Sequence, residues 1–284
     1  RHIRMKKLFF ADRIKASTLW AQRRYYMTVV MFFFILSDLT AQMPYTWMRS
    51  ADSLAAQYNA AQAVDAYRHA VQKDSANCEA RWKLAMQTIA LGNDLPKCEE
   101  QEKLYAEAFE WARVAVSCDS SSLAAWLTLA TAAERAAMDE FGSRHSVLLA
   151  EMRFAAERAL ALDSLSDEAE HLLGLWNRFV ANASWFSRTT ARLMGTAYGT
   201  AAISRSIEHF QRAIRLHRDE PRHYLELGRT LVLIERWNEA DSAFTKAAEL
   251  PWQDRYAHRH RRDARHYREL LREGRYAELK NSIE

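Results

Sequence analysis

Few side chains in this sequence have the types and spacing that catalysis or metal binding requires. His258 and His260 lie two positions apart, so on a helix their imidazoles would diverge and could not share a metal ion. Glu99, Glu100 and Glu102 are typical of a solvated helix start rather than of a catalytic carboxylate pair. Phosphate-binding glycine loops, nucleophile elbows and metalloprotease motifs are missing from the sequence. We therefore predict no catalytic, cofactor-binding or metal site, and a protein that is not an enzyme.

The sequence has three cysteines, Cys78, Cys98 and Cys118. An odd number without a CxxC motif is not the pattern of a zinc site or of a disulfide-rich scaffold. Two interpretations stay open. In an oxidising compartment Cys98 would form a disulfide with one of the other two cysteines. Otherwise all three are unpaired, partly buried thiols.

The composition indicates which elements must position any site. Hydrophobic residues make up 49% and charged residues 27% of the 284 residues, which excludes a wholly disordered chain. With only 7 Gly and 4 Pro, the chain lacks the turn residues that a β-sandwich, a barrel or a Rossmann-type fold needs. We therefore predict an all-α protein.

An apolar run, MTVVMFFFIL, occupies residues 27–36 and follows several basic residues. It is shorter than the roughly 20 residues of a spanning helix but has the length of a signal-peptide core. Because the small residue Ala41 precedes Gln42, we predict that residues 1–41 form a signal peptide and residues 42–284 the folded domain. Two alternatives stay open: an uncleaved membrane anchor through residues 27–36, and a buried hydrophobic helix.

The predicted signal peptide also carries most of the positive charge. Residues 1–41 contain eight Lys or Arg against two Asp or Glu, a net of +6, whereas the whole chain has +4, so −2 remains for the domain. The basic balance is therefore no indication of a nucleic-acid-binding surface, and no nucleic-acid partner is expected.

The clearest repeat unit covers residues 221–252. Tyr224 is followed by the pair Leu227-Gly228, and Ala240 and Phe244 come later in the unit. This is the tetratricopeptide pattern of two antiparallel helices. The small residues allow the two helices to approach, and the apolar residues fill the groove between them.

The same pattern recurs upstream, which predicts a superhelix of about five tetratricopeptide-like helix pairs followed by a C-terminal capping helix. The units are of uneven length, so we expect either longer helices or insertions of about ten to twenty residues in units two to four. The matching first-helix residues are Trp47, Ala51 and Leu54; Trp82, Ala85, Met86 and Ile89; Trp126, Leu129, Ala130 and Ala133; and Leu173 and Gly174. The matching second-helix residues are Ala63, Tyr67 and Ala70; Ala108, Ala112 and Ala115; Met152, Ala156 and Ala159; and Ser206, Phe210 and Ala213.

A longer phrase follows Leu172, and its Ser184-Trp185-Phe186 part is absent from generic tetratricopeptide proteins. Its residues are Gly174, Trp176, Ser184, Trp185, Phe186, Arg188, Ala191, Gly195, Ser206, Phe210 and Ala213. On these residues, the chain over about 48–272 resembles the regulator of microtubule dynamics family and its bacterial relatives. It departs from the family at Thr196-Ala197, where a double proline is usual. The resemblance implies the helical-repeat fold. We do not carry over a tubulin partner, because a secretion signal is predicted.

Two sets of residues are candidate partner-binding sites. The concave groove of a solenoid is its usual binding surface, and cations there suit a peptide that carries carboxylates. The two-residue clamp for a terminal carboxylate is not expected, since Gln87 stands where an Asn is needed. The predicted groove residues are Lys83, Gln87, Thr131, Glu134, Arg135, His171, Arg178 and Arg229. The predicted insertion residues are Trp185, Phe186, Arg188 and Arg192. The alternatives are an ordinary solvated groove and an insertion that packs on the repeat core.

The Arg-rich stretch from Arg255 to Arg275 has Tyr267 and Leu270 at helical spacing and is predicted to cap the solenoid. Together these features predict an exported scaffold, periplasmic or secreted, that binds a protein or peptide partner in its groove. The alternative is a membrane-anchored repeat protein whose basic last helix contacts anionic lipid on an organelle or envelope surface. The sequence predicts neither the identity of the partner nor the oligomeric state.

Overall fold

A computed structural model describes residues 31, 47–138, 140, 142–182, 200–251 and 256–283. These residues are almost entirely helical and contain no strand, which confirms the all-α prediction. The helices are α1 (47–56), α2 (Ala60–Lys73), α3 (Cys78–Asp94), α4 (Glu99–Cys118), α5 (Leu123–Ala137), α6 (Gly142–Leu162), α7 (Asp167–Asn182), α8 (Thr200–Leu216), α9 (Pro221–Leu233), α10 (Trp237–Glu249), α11 (Ala257–Arg272) and α12 (Tyr276–Ile283).

Small polar residues begin the first helix of most pairs. The side-chain oxygens of Asn77, Ser122 and Ser166 each accept a hydrogen bond from the backbone N–H three residues later, at 2.9, 3.2 and 3.2 Å. Each bond satisfies one of the backbone donors that a helix start leaves unpaired. At the start of α9 the Glu220 carboxylate accepts a hydrogen bond from the backbone N–H of Arg222, two residues later. These caps set the phase of the repeat.

A small residue lies eight positions after each of these caps. The four residues are Ala85, Ala130, Gly174 and Gly228, and all are buried. A Cβ on Gly228 would lie 2.5 Å from the Phe244 ring, so this glycine is what allows α9 and α10 to approach. The sequence pattern aligned Ala85-Met86 with Leu227-Gly228, which put Met86 at the position of the small residue. That alignment is wrong by one residue, because Ala85 is the buried small residue and Met86 is 41% exposed.

Consecutive helices pack as antiparallel pairs, α3 on α4, α5 on α6, α7 on α8 and α9 on α10, and the pairs stack side by side. The long second and third units result from long helices: α3, α4 and α6 have 17, 20 and 21 residues, against 13 each in α9 and α10. In the fourth unit, residues 183–199 lie outside the described part of the chain.

Two helices rather than one follow the last pair. In α11 the side chains of Tyr267 and Leu270 are buried, as the capping-helix prediction requires. The short α12 comes next and buries Leu279. Tyr256, just before α11, donates from its hydroxyl to the Ala90 carbonyl of α3 at 3.1 Å. The start of α11 therefore reaches from the last repeat back to the second helix pair.

Cys78 and Cys118 form a disulfide, and Cys98 is free. The interpretation that Cys98 pairs, and the alternative of three free thiols, are both wrong. The reason is the antiparallel packing of α3 on α4. Cys78 begins α3 and Cys118 ends α4, so the two lie at the same end of the pair. Cys98 lies at the opposite end of the pair, in the connection from α3 to α4.

Within the described residues, every helix is too short or too polar to cross a membrane. Of the apolar run at 27–36 only Met31 is described, as a helical and exposed residue, so the predicted signal peptide lies outside the described residues.

Candidate binding site on the inner face

The first helices α5, α7 and α9 lie side by side and border a cavity of about 300 Å³, which we call the central cavity. Its lining residues are Thr131, Glu134, Arg135, Met138, Glu168, His171, Leu172, Leu175, Arg178, Phe179, Arg222, Leu225, Glu226, Arg229, His260 and Ile283. The last two belong to α11 and α12, so the C-terminal helices close one side of the cavity.

Most of the predicted groove residues come together here. Thr131, Arg135, His171, Arg178 and Arg229 all line the central cavity, together with Glu134. Lys83 and Gln87 lie on α3, away from it, and the insertion residues Trp185, Phe186, Arg188 and Arg192 lie outside the described part of the chain. The helical phase therefore placed the α5, α7 and α9 residues on one face.

Two of the predicted groove cations already have an anionic partner inside the protein. The Glu226 carboxylate lies 2.5 Å from Arg178 and 2.6 Å from Arg229. Burial alone would raise the pKa of Glu226, but Arg229 and Arg178 outweigh it and hold that pKa far below its ordinary value. Arg229 also donates to the Tyr267 hydroxyl of α11 at 3.0 Å. These two arginines serve to join α7, α9 and α11.

The predicted groove lysine is also paired. Lys83 lies 2.8 Å from Asp52 of α1 and 2.7 Å from Glu79 of its own helix. Asp52 accepts a second hydrogen bond, from the Tyr67 hydroxyl at 2.5 Å. Burial and the bond to Asp52 raise the pKa of Tyr67 above its ordinary range. Lys83 thus joins the first two helix pairs.

Arg135 differs from these cations. Its Nε lies 3.6 Å from the Glu134 carboxylate, farther than the 2.5 and 2.6 Å contacts of Arg178 and Arg229 with Glu226, and its side chain is 33% exposed. Glu134 itself is only 7% exposed, and burial raises the pKa of its carboxyl above 4.5. The cavity therefore presents a guanidinium that a ligand can still engage.

His171 connects the cavity to the neighbouring helix ends. Its Nδ1 lies 2.9 Å from Nδ1 of His223, which is fully buried at the start of α9. Burial lowers the pKa of His171 well below its ordinary value, so the imidazole is neutral at physiological pH.

Sequence reasoning missed two features of this site. The first is Glu226, whose spacing of three residues from Arg229 was a visible signal for a helical ion pair. The second is the contribution of the C-terminal helices, since His260 was considered only as a metal ligand. Neither feature follows from a first-helix pattern alone.

Comparison with known proteins places the chain among helical-repeat proteins. It is 25% identical over 185 residues to regulator of microtubule dynamics protein 1 of Pongo abelii, a match that covers 63% of this chain and 58% of that protein. It is 26% identical over 187 residues to the Bos taurus protein of the same name, covering 63% of this chain and 57% of that protein. The chain thus spans less than two thirds of the length of these relatives.

Solved structures share the fold at low sequence identity. A thermophilic tetratricopeptide protein of Thermus thermophilus matches with a TM-score of 0.57 and 17% identity, over 78% of this chain and 98% of that one. PilF of Pseudomonas aeruginosa matches with a TM-score of 0.52 and 16% identity, over 86% and 97%. These likenesses confirm the predicted tetratricopeptide-like superhelix.

The sequence profile described as regulator of microtubule dynamics protein 1-3 matches residues 47–272, which is most of the chain and nearly the range over which the residue pattern indicated that resemblance. The chain belongs to the regulator of microtubule dynamics family.

Proposed function

We propose that this chain is an exported scaffold without catalytic activity, which binds an acidic segment of a protein partner at the central cavity. Helical-repeat solenoids of this kind serve protein–protein interaction through the surface that their first helices form. The observation that carries the proposal is the Arg135 guanidinium, whose carboxylate contact among the described residues is Glu134 at 3.6 Å, whereas Arg178 and Arg229 lie 2.5 and 2.6 Å from the Glu226 carboxylate.

The surroundings of Arg135 define the segment that fits. A carboxylate of the partner would form a charge-assisted hydrogen bond with the guanidinium and displace the weak contact to Glu134. Met138, Leu175 and Phe179 supply apolar surface next to it. At about 300 Å³ the cavity accommodates one or two side chains rather than a folded domain. We therefore expect an extended segment with an acidic residue next to an apolar one.

A peptide array tests this specificity. The full chain is applied to immobilised peptides in which acidic and apolar residues alternate in varied spacing, and binding is compared with that of the Arg135→Glu variant. Wild type is expected to bind a subset of acidic peptides, and the variant is expected to lose at least ~10-fold in affinity, as for a broken charged contact.

The matched control is Arg113→Glu on α4, a second helix, where the side chain is 52% exposed and its carboxylate partner among the described residues is Glu110. Its charge change is identical, so it separates contact at the cavity from long-range attraction. Equal loss in both variants, or no binding by wild type, contradicts the proposed site. Arg229 is unsuitable for charge reversal because its substitution would leave Glu226 buried beside a second carboxylate.

Two features support export. The signal-peptide pattern of residues 1–41 is the first. The second is the Cys78–Cys118 disulfide, because such bonds persist in oxidising compartments and are rare in the cytosol. N-terminal sequencing of the protein from its native cells tests the proposal. A mature N-terminus at Gln42 supports it, and an intact leader in the cytosolic fraction contradicts it.

A second candidate function is contact with an anionic membrane, with residues 27–36 retained as an anchor. It is favoured by α11, which exposes Arg262, Arg265 and His266 on one side. Flotation with vesicles that contain anionic lipid tests it. Stronger flotation with anionic than with neutral vesicles, lost in Arg262→Glu/Arg265→Glu, would favour this function, and flotation that the double substitution leaves unchanged would exclude the contact through α11.

A further inference from the structure

Three side chains from three helix ends meet at the junction of α7, α8 and α9. Asp167 is the first residue of α7, His217 follows the last residue of α8, and His223 lies in the first turn of α9. His217 Nδ1 and His223 Nε2 lie 3.2 and 3.0 Å from the same Oδ2 atom of Asp167. Each of the three side chains offers one ligand atom, and these atoms all lie within 4.8 Å of one another.

We propose that this junction is a divalent-metal site, with zinc as the metal that its chemistry fits best. Two imidazole nitrogens and one carboxylate oxygen are ligands that zinc prefers. A tetrahedral ion with bonds of roughly 2.0–2.2 Å separates its ligands by about 3.3 Å. The two His–Asp separations are close to that value, and the two histidine ligand atoms lie within 4.8 Å of each other, so a metal can enter when the histidine rings move closer together.

His223 has the support that metal-binding histidines usually have. Its ring is fully buried, and its other nitrogen, Nδ1, lies 2.9 Å from Nδ1 of His171. In the metal-bound form the His223 Nδ1–H donates to His171, which fixes the ring and leaves Nε2 as the ligand atom. His171 is thus a positioning residue for the metal site.

The charges around the junction also favour a cation. Arg222 is adjacent to His223 in sequence and would oppose a metal ion if it were unpaired. Its guanidinium instead bonds Glu168 at 2.9 Å and Glu220 at 3.0 Å. With Asp167 these groups sum to a net charge of −2.

Three protein ligands leave a tetrahedral ion with one open position. The His217 side chain is 54% exposed, so water or a ligand from outside can reach the ion and fill that position. No short sequence motif indicates the site. Asp167 lies about fifty residues before the histidines, and His217 and His223 are not one helical turn apart. The prediction of no metal site had considered the cysteines, the metalloprotease motifs and the pair His258 and His260, but not these three residues.

Calorimetric titration of the full, tag-free chain with Zn²⁺ after chelator treatment tests the proposal. Wild type is expected to bind one equivalent and to unfold at a higher temperature when zinc is present. Cobalt in place of zinc should give the visible absorption of a tetrahedral site. His217→Ala removes an exposed ligand and is expected to weaken zinc binding by more than about tenfold. Loss of a residue that only hydrogen-bonds to a metal ligand already lowers metal affinity by about that factor.

The matched control is His209→Ala, since His209 also pairs with a carboxylate, Glu170 at 2.6 Å. It should bind zinc as wild type does. Asp167→Asn serves as a second variant, because it keeps the size of the side chain and removes its charge. The proposal is overturned if wild type binds no zinc, or if both His217→Ala and Asp167→Asn bind it as tightly as wild type.

Discussion

The helix pairs α3–α4 and α7–α8 are joined at the same end by different chemistry. In the first pair, the first residue of α3 and the last residue of α4 form the Cys78–Cys118 disulfide. In the second pair, the first residue of α7, Asp167, bonds to His217, just after α8, and to His223 of the next pair. The first connection is covalent and confined to one repeat, whereas the second is polar and spans two repeats.

Buried charge follows the same division. Among the described residues of α1–α6, Glu134 is the one charged residue that is buried. In α7–α9 the titratable residues Glu170, His171, Arg178 and His223 are buried. The repeat requires only small and apolar residues at its helix contacts. The remaining positions can hold other residue types, and in the second half of this chain some of them hold buried titratable residues.

The largest effect is expected from Glu226→Gln. Arg178 and Arg229 would lose their shared carboxylate while remaining buried, which costs about 3–5 kcal/mol for a buried pair. Because solenoid stability is a sum of local contributions, hydrogen exchange should rise in α7–α11 and much less in α1–α4. Chemical unfolding followed by mass-spectrometric hydrogen exchange measures both effects.

Glu107→Gln is the matched control in the first half. Glu107 bonds Arg68 at 2.7 and 2.9 Å, but both side chains are more than a third exposed. Such a pair contributes about 0–1 kcal/mol. If the two variants were equally destabilised, the division between an apolar first half and a charged second half would have no energetic meaning.

The next largest effect is expected from Cys78→Ser/Cys118→Ser. Loss of the disulfide, which closes a loop of 40 residues, should lower the free energy of unfolding by about 2–4 kcal/mol. Exchange should rise in α3 and α4 and stay unchanged in α9–α11, the reverse of the Glu226→Gln pattern. Cys98→Ser is the control, since that thiol is free. Faster exchange along the whole chain would show that the halves are coupled.

The fold was predictable because the repeat constrains each helix contact locally. Small and apolar residues recur at one helical phase, and this phase alone placed Arg135, His171 and Arg229 on the cavity. The register error at Met86 arose because Trp82 was aligned with Trp126. Trp82 lies five positions after its N-cap and Trp126 only four, so the caps were the better guide.

The contacts between repeats were less predictable. Glu226 reaches Arg178 across two helices, and no spacing in the sequence encodes that distance. The disulfide, by contrast, could have been inferred from the repeat pattern, although the sequence-based interpretation paired Cys98 instead: in an antiparallel pair, the start of the first helix lies beside the end of the second. The same reasoning would have brought Asp167 next to His217.

A smaller effect is expected from Gly228→Ala. The new methyl group would lie 2.5 Å from the ring of Phe244, which is fully buried. Because the contact is this short, overpacking is expected to cost about 2–3 kcal/mol, and the gain in helix propensity returns about 1, so a net loss of about 1–2 is expected. Thermal unfolding measures it. The double variant Gly228→Ala/Phe244→Leu should recover part of the loss, and a neutral single variant would show that the α9–α10 contact is looser than described.

The smallest effect is expected from Glu134→Gln, and it has the opposite sign. Burial raises the folded-state pKa of Glu134 above the 4.5 of the unfolded chain, so wild type loses stability as pH rises through the folded pKa. Arg135 and Arg178 oppose this shift, whereas Glu226 and Glu168 reinforce it.

Gln lacks the charge, so Glu134→Gln should unfold at a higher temperature than wild type at pH 7, and the difference should disappear below about pH 4.5, where both side chains are neutral. Thermal unfolding across this pH range measures it. A variant less stable than wild type at pH 7 would mean that Arg135 stabilises the ionised Glu134 more than their 3.6 Å separation suggests. Arg135 would then belong with Arg178 and Arg229 as a paired structural cation, and the central cavity would have no guanidinium left for a partner.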